Sequence, residues 1–490
     1  MPSLLAAVIV FATSAAVLVL EILAGRLLAP YVGVTLETYT GIIGTVLAGI
    51  ALGSWWGGTQ ADRRDPQTLL GPVIAFGGLL ALASLPIVRV FGPALAGRDP
   101  VTIVLLAFLG FFAPAAVLSA VTPMVVKIQL DSLRETGRTV GRLSALSTAG
   151  ALLGTFLTGF VLLAAFPTTP IVIAVGALLV ALGVALSVWL PQQDGRSSPP
   201  VIAAGVALAA LGLLVGTPCQ HETAYFCASV IPDPVRPSGR LLVLDTLRHS
   251  YVDLDDPTHL EFDYARSVVA VIDGSYPGGR ALDVLHVGGG GFTLPRYLAQ
   301  TRPGTESLVL ELDPDLVQLA RDDLGLRIDG RLRVRTGDAR LELLRLPSDS
   351  RDVVIGDAFG GLAVPWHLTT AEFVAEVQRV LRPGGVYVLN LIDHPPLAFA
   401  RAETATLADA FGTAAVVAPA DRLNGDEGGN FVLTGGALDI SGIVETLGAR
   451  GSSEQVIAGA RLRQFVDGSP TLRDDYAPVD QLLEPRPTSG

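Results

Sequence analysis

The sequence predicts a multi-span α-helical membrane domain, followed by a small β unit and an α/β domain of the Rossmann-like type. Half of the 490 residues are hydrophobic, and the mean hydropathy is +0.52. The apolar residues concentrate before about Gly216, in runs long enough to cross a bilayer. After that point, short apolar runs alternate with helix-like segments, and four glycines follow one of these runs, which is typical of a parallel α/β sheet.

Seven long runs with few charges are predicted to form the membrane domain, which we place at residues 1–216. The runs are 4–29, 38–58, 69–91, 101–126, 140–166, 171–190 and 201–215. Most reach the roughly 20 residues that cross a bilayer, and the last is the shortest. The first run is too long for a cleaved signal peptide. The sequence therefore predicts about seven spans and a multi-pass protein of the cell membrane.

Glycines within two of these runs recur at helix-packing spacing. They are Gly49, Gly53 and Gly57 in the second run, and Gly150 and Gly154 in the fifth. Residues without a side chain at every fourth position let two helices approach closely. We therefore expect these glycines to lie at contacts between helices.

The loops between the runs predict how the chain is oriented. With seven spans, one face carries most of the basic residues, and the other has little beyond Arg98. The first face has Arg63, Arg64, Lys127, Arg134, Arg138, Arg142 and Arg196. The positive-inside rule makes this face cytoplasmic, so an odd number of spans would place the rest of the chain outside.

The only two cysteines, Cys219 and Cys227, lie just beyond the last predicted span. Close cysteines can pair in an oxidising compartment, so the sequence predicts a disulfide between them in an extracytoplasmic domain. The alternative is two unpaired thiols, which holds if the domain is cytoplasmic.

The stretch 281–313 carries the strongest functional signal. Its first apolar run ends in glycines 288–291, and its second ends in Glu311. Glycines after a first strand let backbone N–H groups approach a ligand, and an acid at the tip of the second strand can accept ribose hydroxyls. The alternative is a tight turn without a ligand. The loop and the acid together predict a nucleoside-binding unit.

Two later apolar runs also end near aspartates. Asp338 follows the run 332–335, and Asp357 follows the run 352–355. In an open α/β sheet these strand tips and Glu311 share the carboxyl edge, where such folds bind ligands.

This order of strands resembles an S-adenosylmethionine-type methyltransferase domain and, more closely, the spermidine synthase (polyamine aminopropyltransferase) family in its membrane-fused form. Upstream, residues 242–245 (LVLD) and 261–264 (EFDY) look like that family's L-V-L-D strand and E-F-x-Y segment. The resemblance covers roughly residues 240–400. We place the small β unit at 217–278, the spermidine synthase-like α/β nucleoside-binding domain at 279–484 and a tail at 485–490.

The resemblance implies a role for particular residues. Asp357 matches the first aspartate of the family's D-x-x-D-P segment and is expected to be catalytic, because a carboxylate can orient and deprotonate an attacking amine. The alternative is an aspartate that caps the next turn. The residues expected to bind the nucleoside are Gly288, Gly289, Gly290, Glu311 and Asp338. Those expected to bind substrate are Tyr264, Asp475 and Tyr476. For Asp338, Tyr264 and the Asp475–Tyr476 pair the alternatives are a loop-tip acid, a core aromatic and an exposed acidic turn.

The sequence departs from the family pattern at two acids. The family's G-G-G-D-G loop has Gly291 at the aspartate position. The second aspartate of D-x-x-D-P falls at Gly360, and its proline falls at Gly361. Two groups expected to bind cationic ends of the substrates are therefore absent.

The resemblance implies a membrane-bound aminopropyltransferase that moves an aminopropyl group from decarboxylated S-adenosylmethionine to an amine such as putrescine. One alternative is an S-adenosylmethionine-dependent methyltransferase, and another is a non-catalytic transporter or sensor that binds a polyamine or nucleoside. Both sulfonium nucleosides are made in the cytoplasm, which conflicts with an exported site. His249 and His367 lack metal-ligand spacing, so no metal is expected.

The net charge of the chain indicates which classes of partner it could bind. The formal net charge is −12, and residues 1–216 hold ten basic and eight acidic residues, so the acidity lies in the C-terminal part. An acidic domain argues against nucleic acid as a partner. The expected partners are the lipid bilayer and a small cationic amine, and a homo-oligomer is left open.

Overall fold

The computed structural model describes residues 1–97, 99–130, 136–189, 199–217, 219–360 and 363–483. Arg98, Arg134, Arg196, Gly361 and the predicted tail at 485–490 lie outside these ranges. The chain divides into two compact units. The N-terminal unit comprises Met1–Ser229 and Leu244–Thr246, and the C-terminal unit comprises Val230–Val243 and Leu247–Gly490.

Long apolar helices build the N-terminal unit. They are α1 (Ser3–Val32), α2 (Leu36–Arg63), α3 (Pro66–Phe91), α4 (Pro100–Gln129), α5 (Thr136–Ala165), α6 (Thr168–Trp189) and α7 (Pro199–Leu214). Within the described residues, α1 to α6 are the six helices that are long and apolar enough to cross a membrane. This confirms the prediction of a multi-span helical domain.

The glycines that were expected at helix contacts lie there. A Cβ atom at Gly53 would come within 1.9 Å of the Ala116 carbonyl oxygen, and one at Gly154 within 2.6 Å of the Ala15 carbonyl oxygen. Contacts this short leave no room for any side chain. The spacing of small residues therefore sets how closely α2 approaches α4, and α5 approaches α1.

The seventh predicted span forms α7, which has 16 residues. At 1.5 Å per residue it is about 24 Å long, short of the roughly 30 Å hydrocarbon core. The length criterion is therefore met by six helices of the described chain rather than by seven. Even so, α7 packs along α3 in the same direction, because Gly205 lies beside Leu79 and Gly212 lies beside Leu85.

Hydrogen bonds show which helix termini lie together at each end of the helical bundle. Arg89, near the end of α3, donates to the carbonyls of Gly212 and Val215, the latter at 3.2 Å. At the other end, Gln129 of α4 donates to the Met1 carbonyl at 2.9 Å. The chain therefore leaves α7 at the bundle end opposite Met1.

A four-stranded sheet follows the helices. Its strands, in spatial order, are β1 (His221–Glu222), β2 (Cys227–Pro232), β3 (Gly239–Leu244) and β4 (Leu247–Asp253). Cys219 and Cys227 form a disulfide in the structure, with their Cα atoms 5.0 Å apart. The small β unit thus contains four strands, of which β1 is the shortest.

The C-terminal unit is built on an eight-stranded mixed sheet in the order β12-β10-β11-β9-β8-β5-β6-β7. Its strands are β5 (Asp283–Val287), β6 (Glu306–Glu311), β7 (Leu332–Thr336), β8 (Arg351–Gly356), β9 (Leu381–Asp393), β10 (Ala414–Pro419), β11 (Gly429–Gly436) and β12 (Glu454–Ala458). Strands β5 to β9 pair in parallel, and the last three pair antiparallel. This confirms the Rossmann-like, methyltransferase-type fold class.

Helices cover both faces of this sheet. They are α8 (Asp263–Ser275), α9 (Thr293–Thr301), α10 (Pro314–Asp322), α11 (Ala339–Leu343), α12 (Ala371–Val380), α13 (Ala398–Phe411), α14 (Ala420–Asn424), α15 (Ile440–Ala449), α16 (Gly459–Phe465) and α17 (Val479–Leu483). Two apolar cores result, one on each face. Every residue of β8 is buried, as expected of a central parallel strand covered on both sides. The rigid strands fix the positions of the residues at their tips.

Candidate active site

The glycine loop after β5 is shaped by close backbone contacts. Gly288 has φ +96°, and a Cβ atom there would lie 2.4 Å from the Asp357 carbonyl oxygen. Only glycine combines this backbone conformation with this approach. The loop therefore runs directly against the tip of β8.

Glu311, at the tip of β6, holds the same loop. Its Oε2 accepts the N–H groups of Gly289 at 2.8 Å and Gly290 at 3.3 Å, and its Oε1 accepts that of Asp313 at 3.0 Å. Glu311 is buried, and burial raises the pKa of its carboxyl group, against the lowering effect of these hydrogen bonds. A carboxylate oxygen can accept more than one hydrogen bond, so Glu311 keeps acceptor capacity for a ribose hydroxyl.

Asp357 projects from the tip of β8 and is held by side chains from two other elements. Its Oδ2 accepts the Tyr264 hydroxyl of α8 at 3.2 Å, and its Oδ1 accepts the Asn390 amide of β9 at 2.9 Å. Asn390 in turn accepts the Asn430 amide of β11 at 3.0 Å. Among the described residues, the hydrogen-bond donors to the Asp357 side chain come from α8 and β9. A capping role would need a donor from the turn that follows β8.

Burial raises the pKa of the Asp357 carboxyl group to about 6, and the hydrogen bonds from Asn390 and Tyr264 oppose this effect. Burial likewise raises the pKa of Tyr264, so its hydroxyl keeps its proton and remains a donor. A carboxylate with a pKa near neutrality is suited to exchange protons with a substrate.

Asp357 and Tyr264 open onto one cavity of about 220 Å³. Its wall combines aromatic rings, amides, two arginines and two acids. The lining residues are Leu247, Arg248, His249, Phe262, Asp263, Tyr264, Asp357, Phe359, Asn390, Ile392, Arg422 and Asn430. A small concave site with few polar groups around a perturbed acid is the usual form of a binding pocket.

His249 and Ser250 of β4 connect this cavity to the glycine loop. The Ser250 hydroxyl accepts the Gly291 N–H at 3.0 Å and contacts His249 Nδ1 at 2.9 Å. Burial lowers the pKa of His249 to about 4, so the ring is neutral at physiological pH. A Cβ atom at Gly291 would lie 2.9 Å from the Ser250 Cβ. The missing acid at this position therefore reflects a lack of space.

The structure places Asp338 at the beginning of α11. Its Oδ1 accepts the Leu341 N–H at 3.0 Å, as an N-cap residue does, and its Oδ2 contacts His367 Nε2 at 3.1 Å. Asp338 does not line the cavity of Asp357. Its cap role agrees with the loop-tip alternative, and its contact with the nucleoside stays a prediction.

Asp475 and Tyr476 are not among the residues that line this cavity. Both are exposed, and the neighbouring Asp474 anchors their segment by accepting Arg340 and Thr370, each at 2.7 Å. The roles predicted for Asp475 and Tyr476 stay predictions, and the geometry agrees with the exposed-turn alternative.

Four polar residues of the lining were not identified from the sequence: Asn390, Asn430, Arg248 and Arg422. Asn390 follows Leu389, which pairs with Gly356 across β8 and β9, so its place beside Asp357 depends on strand register. A polar residue in the apolar run VYVLNLID was the available signal. The described residues contain no group of three or more His, Cys, Asp or Glu that could hold a metal ion.

The fold and the site define a methyltransferase-type α/β domain, and comparison agrees. A family model described as "Methyltransferase domain" matches residues 285–389. The chain is 34% identical to the polyamine aminopropyltransferase of Vibrio vulnificus over 137 residues, 26% of this chain and 43% of that protein. It is 29% identical to the eEF1A lysine and N-terminal methyltransferase of Danio rerio over 144 residues, 28% of this chain and 21% of that protein.

Among solved structures, the chain is similar to a probable spermidine synthase from Corynebacterium glutamicum. The identity is 30%, the TM-score is 0.49, and the match covers 53% of this chain and 97% of that one. The relatives confirm the resemblance to polyamine aminopropyltransferases indicated by the sequence motifs. The relatives are named as aminopropyltransferases and methyltransferases, which are both transferases. This confirms the prediction that the chain is a transferase. The chain spans less than half the length of the Vibrio relative.

Proposed function

We propose that the C-terminal unit transfers an aminopropyl group from decarboxylated S-adenosylmethionine to a small amine. The observation that carries the proposal is Asp357, held by Tyr264 and Asn390 at the wall of a cavity beside the glycine loop. The similarity to proteins named polyamine aminopropyltransferase supports the same reaction.

The reaction needs an acid that manages the proton of the acceptor. The nitrogen lone pair of the amine attacks the methylene carbon beside the sulfonium sulfur, and a C–N bond forms. The C–S bond breaks, its electron pair stays on sulfur, and a neutral thioether nucleoside leaves. Asp357 accepts an N–H hydrogen bond from the amine and takes the proton that the new ammonium group releases. Tyr264 and Asn390 keep the carboxylate in position.

The donor nucleoside fits the glycine loop. The Glu311 carboxylate at the tip of β6 is available to ribose hydroxyls, and Gly288 and Gly289 carry no side chain that would block the approach of a ligand. The neutral His249 ring lies against Gly290, between the loop and the cavity. These residues bind and orient the donor, while the proton chemistry falls to Asp357.

Product analysis tests the proposal. Purified full-length protein is given either decarboxylated S-adenosylmethionine or S-adenosylmethionine with a panel of amines, and products are identified by mass spectrometry. We expect an amine heavier by one aminopropyl group, together with the thioether nucleoside. A methylated product from S-adenosylmethionine alone would replace this function by methyl transfer. Nucleoside binding without any product would favour a sensor or transporter.

We further propose that the chain is a multi-pass membrane protein whose C-terminal unit lies outside the cytoplasm. Two observations support this. The chain leaves α7 at the bundle end opposite Met1 and Gln129, near which the basic residues Arg63 and Lys127 also lie. The disulfide between Cys219 and Cys227 suits an oxidising compartment. The donor must then be present on the outer side of the membrane.

A further inference from the structure

The cavity beside Asp357 has two arginines on its wall, Arg248 and Arg422. The Arg248 guanidinium lies over the Phe262 ring, 5.6 Å from its centre. Arg422 Nη1 donates to the Asn430 carbonyl at 3.3 Å. Among the described residues, neither guanidinium forms an ion pair. An arginine keeps its charge at any physiological pH, so two positive charges lie on the wall of the cavity.

The acids of the same cavity do not balance these charges. Asp263 forms an ion pair with Arg266, which lies outside the lining. Asp357 receives its hydrogen bonds from the neutral groups of Tyr264 and Asn390. Asp357 is therefore the lining acid that remains for a substrate ammonium group. A diamine needs a second anion for its far ammonium group, and here it would meet arginine instead.

One acid outside the cavity lining, Glu454, also feels the charge of Arg422. Burial raises the pKa of Glu454, and Arg422 opposes this effect. Its carboxylate accepts the hydroxyls of Ser267 and Ser452 instead. Arg422 therefore remains available to an anion that enters the cavity.

We propose that the acceptor is an amino acid or a similar amine that carries a carboxylate, with Asp357 binding its reacting amine and Arg248 and Arg422 binding its carboxylate. Guanidinium groups match carboxylates in geometry and can bind them through two parallel hydrogen bonds. The inference rests on the proposed aminopropyl transfer. In that reaction the donor has lost its carboxylate, so the acceptor supplies the anion. The sequence predicts only that the acceptor is a small cationic amine. The proposal adds that this amine also carries a carboxylate.

Matched acceptors test the proposal. Ornithine is putrescine with one added carboxylate, and lysine is cadaverine with the same addition. With decarboxylated S-adenosylmethionine as donor, kcat/KM is measured for each of the four by mass spectrometry of the products. We expect each amino acid to be preferred over its diamine by at least about tenfold, the effect of one charged hydrogen bond.

Variants identify the residues responsible. Arg248→Gln and Arg422→Gln should each raise the KM for the preferred amino acid by about ten- to a hundredfold. Each should also lower the KM for the matching diamine, because it removes a positive charge that the far ammonium group would meet. Arg321→Gln, on the exposed surface of α10 and outside the cavity, serves as the matched control and should change neither reaction.

The outcomes separate the inference from the function on which it rests. Diamines preferred by the wild-type protein, with no effect of either arginine variant, would overturn the inference and leave aminopropyl transfer intact. Arginine variants that weaken only the binding of S-adenosylmethionine would show that the carboxylate belongs to a donor, which also overturns it. Absence of transfer to all four acceptors and to the wider amine panel would reject the proposed function itself.

Discussion

At the scale of single residues, the chemistry depends on the hydrogen bonds that surround each acid. Asp357 and Glu311 are both buried enough to have raised pKa values, yet their partners differ. Glu311 accepts backbone N–H groups of the glycine loop, which suits a structural and ligand-binding acid. Asp357 accepts two side-chain donors beside a cavity, which suits a group that exchanges protons.

The pKa of Asp357 predicts the pH dependence of turnover. The carboxylate must be ionised to accept a proton, so kcat/KM should fall about tenfold per pH unit below about 6. The Tyr264 hydrogen bond favours the ionised form, so Tyr264→Phe should raise this pKa and move the acid limb to higher pH. Tyr297→Phe, outside the cavity, is the control. Rate profiles of all three proteins that coincide on the acid side would contradict the role of Asp357 as the base.

Glu311 is expected to contribute directly to nucleoside affinity. Glu311→Ala removes a charged hydrogen bond, which costs about 1.5–3 kcal/mol, or about ten- to a hundredfold in Kd. Glu306→Ala, at the exposed beginning of the same strand, is the matched control. Isothermal titration calorimetry with the donor nucleoside measures the effect. Equal affinities for wild type and Glu311→Ala would reject the assignment.

Residue identities at the strand tips could be read from the sequence, because an apolar run that ends in an acid is a local pattern. Among the side chains around Asp357, Tyr264 could be named from its motif, whereas Asn390 and Asn430 could not. Asn390 reaches Asp357 through the pairing of Gly356 with Leu389, and Asn430 through the antiparallel pairing of β11 with β9. Both depend on strand register, which a single sequence does not specify here. Arg422 lies in a short helix between two strands that the sequence analysis did not recognise.

At the scale of elements, the glycine loop and β4 are packed too closely to allow a side chain at Gly291. The contrast with Gly360 is informative, since a Cβ atom there would meet Pro365 at 3.7 Å, an ordinary contact distance. The two glycines that replace the family's aspartates therefore differ. Ser250 leaves no space for a side chain at Gly291, whereas the described neighbours of Gly360 leave space for one.

This packing predicts the effect of a small substitution. Gly291→Ala places a methyl group 2.9 Å from the Ser250 Cβ and 3.1 Å from the Val252 side chain, so β4 or the loop must shift. We expect a loss of about 1–3 kcal/mol in stability together with weaker nucleoside binding. The control Gly278→Ala has no atom within 4 Å of the added Cβ. A thermal melt in which Gly291→Ala unfolds at the same temperature as Gly278→Ala would contradict the packing.

At the scale of the whole molecule, the sequence predicted both fold classes, because hydropathy marks membrane helices and glycine placement marks a parallel sheet. The seventh predicted span is present as α7, whose 16 residues make it shorter than α1 to α6. Strands β10 to β12 were not predicted, since they lie beyond residue 400, outside the stretch that resembles the family. The path of α7 along α3 became clear only from their contacts at Gly205 and Gly212.

The direction of α7 predicts that the C-terminal unit lies on the extracytoplasmic side of the membrane. A C-terminal reporter that is active only outside the cytoplasm should be active, and Cys219 and Cys227 should resist thiol labelling until reduced. The bridge closes a short loop and should stabilise the β unit by roughly 2–3 kcal/mol at most. A silent reporter together with two thiols that label freely without reductant would place the C-terminal unit in the cytoplasm.

The central claim is that Asp357 supports aminopropyl transfer from a sulfonium nucleoside. The most direct test uses decarboxylated S-adenosylmethionine with isotopic label in its aminopropyl carbons, incubated with the full-length protein and the amine panel. We predict that the label moves to an amine in step with release of the thioether nucleoside. Asp357→Asn should bind the nucleoside with unchanged affinity and transfer label about 10²–10⁴-fold more slowly. Equal rates for wild type and Asp357→Asn, or release of the thioether without labelled amine, would contradict the claim.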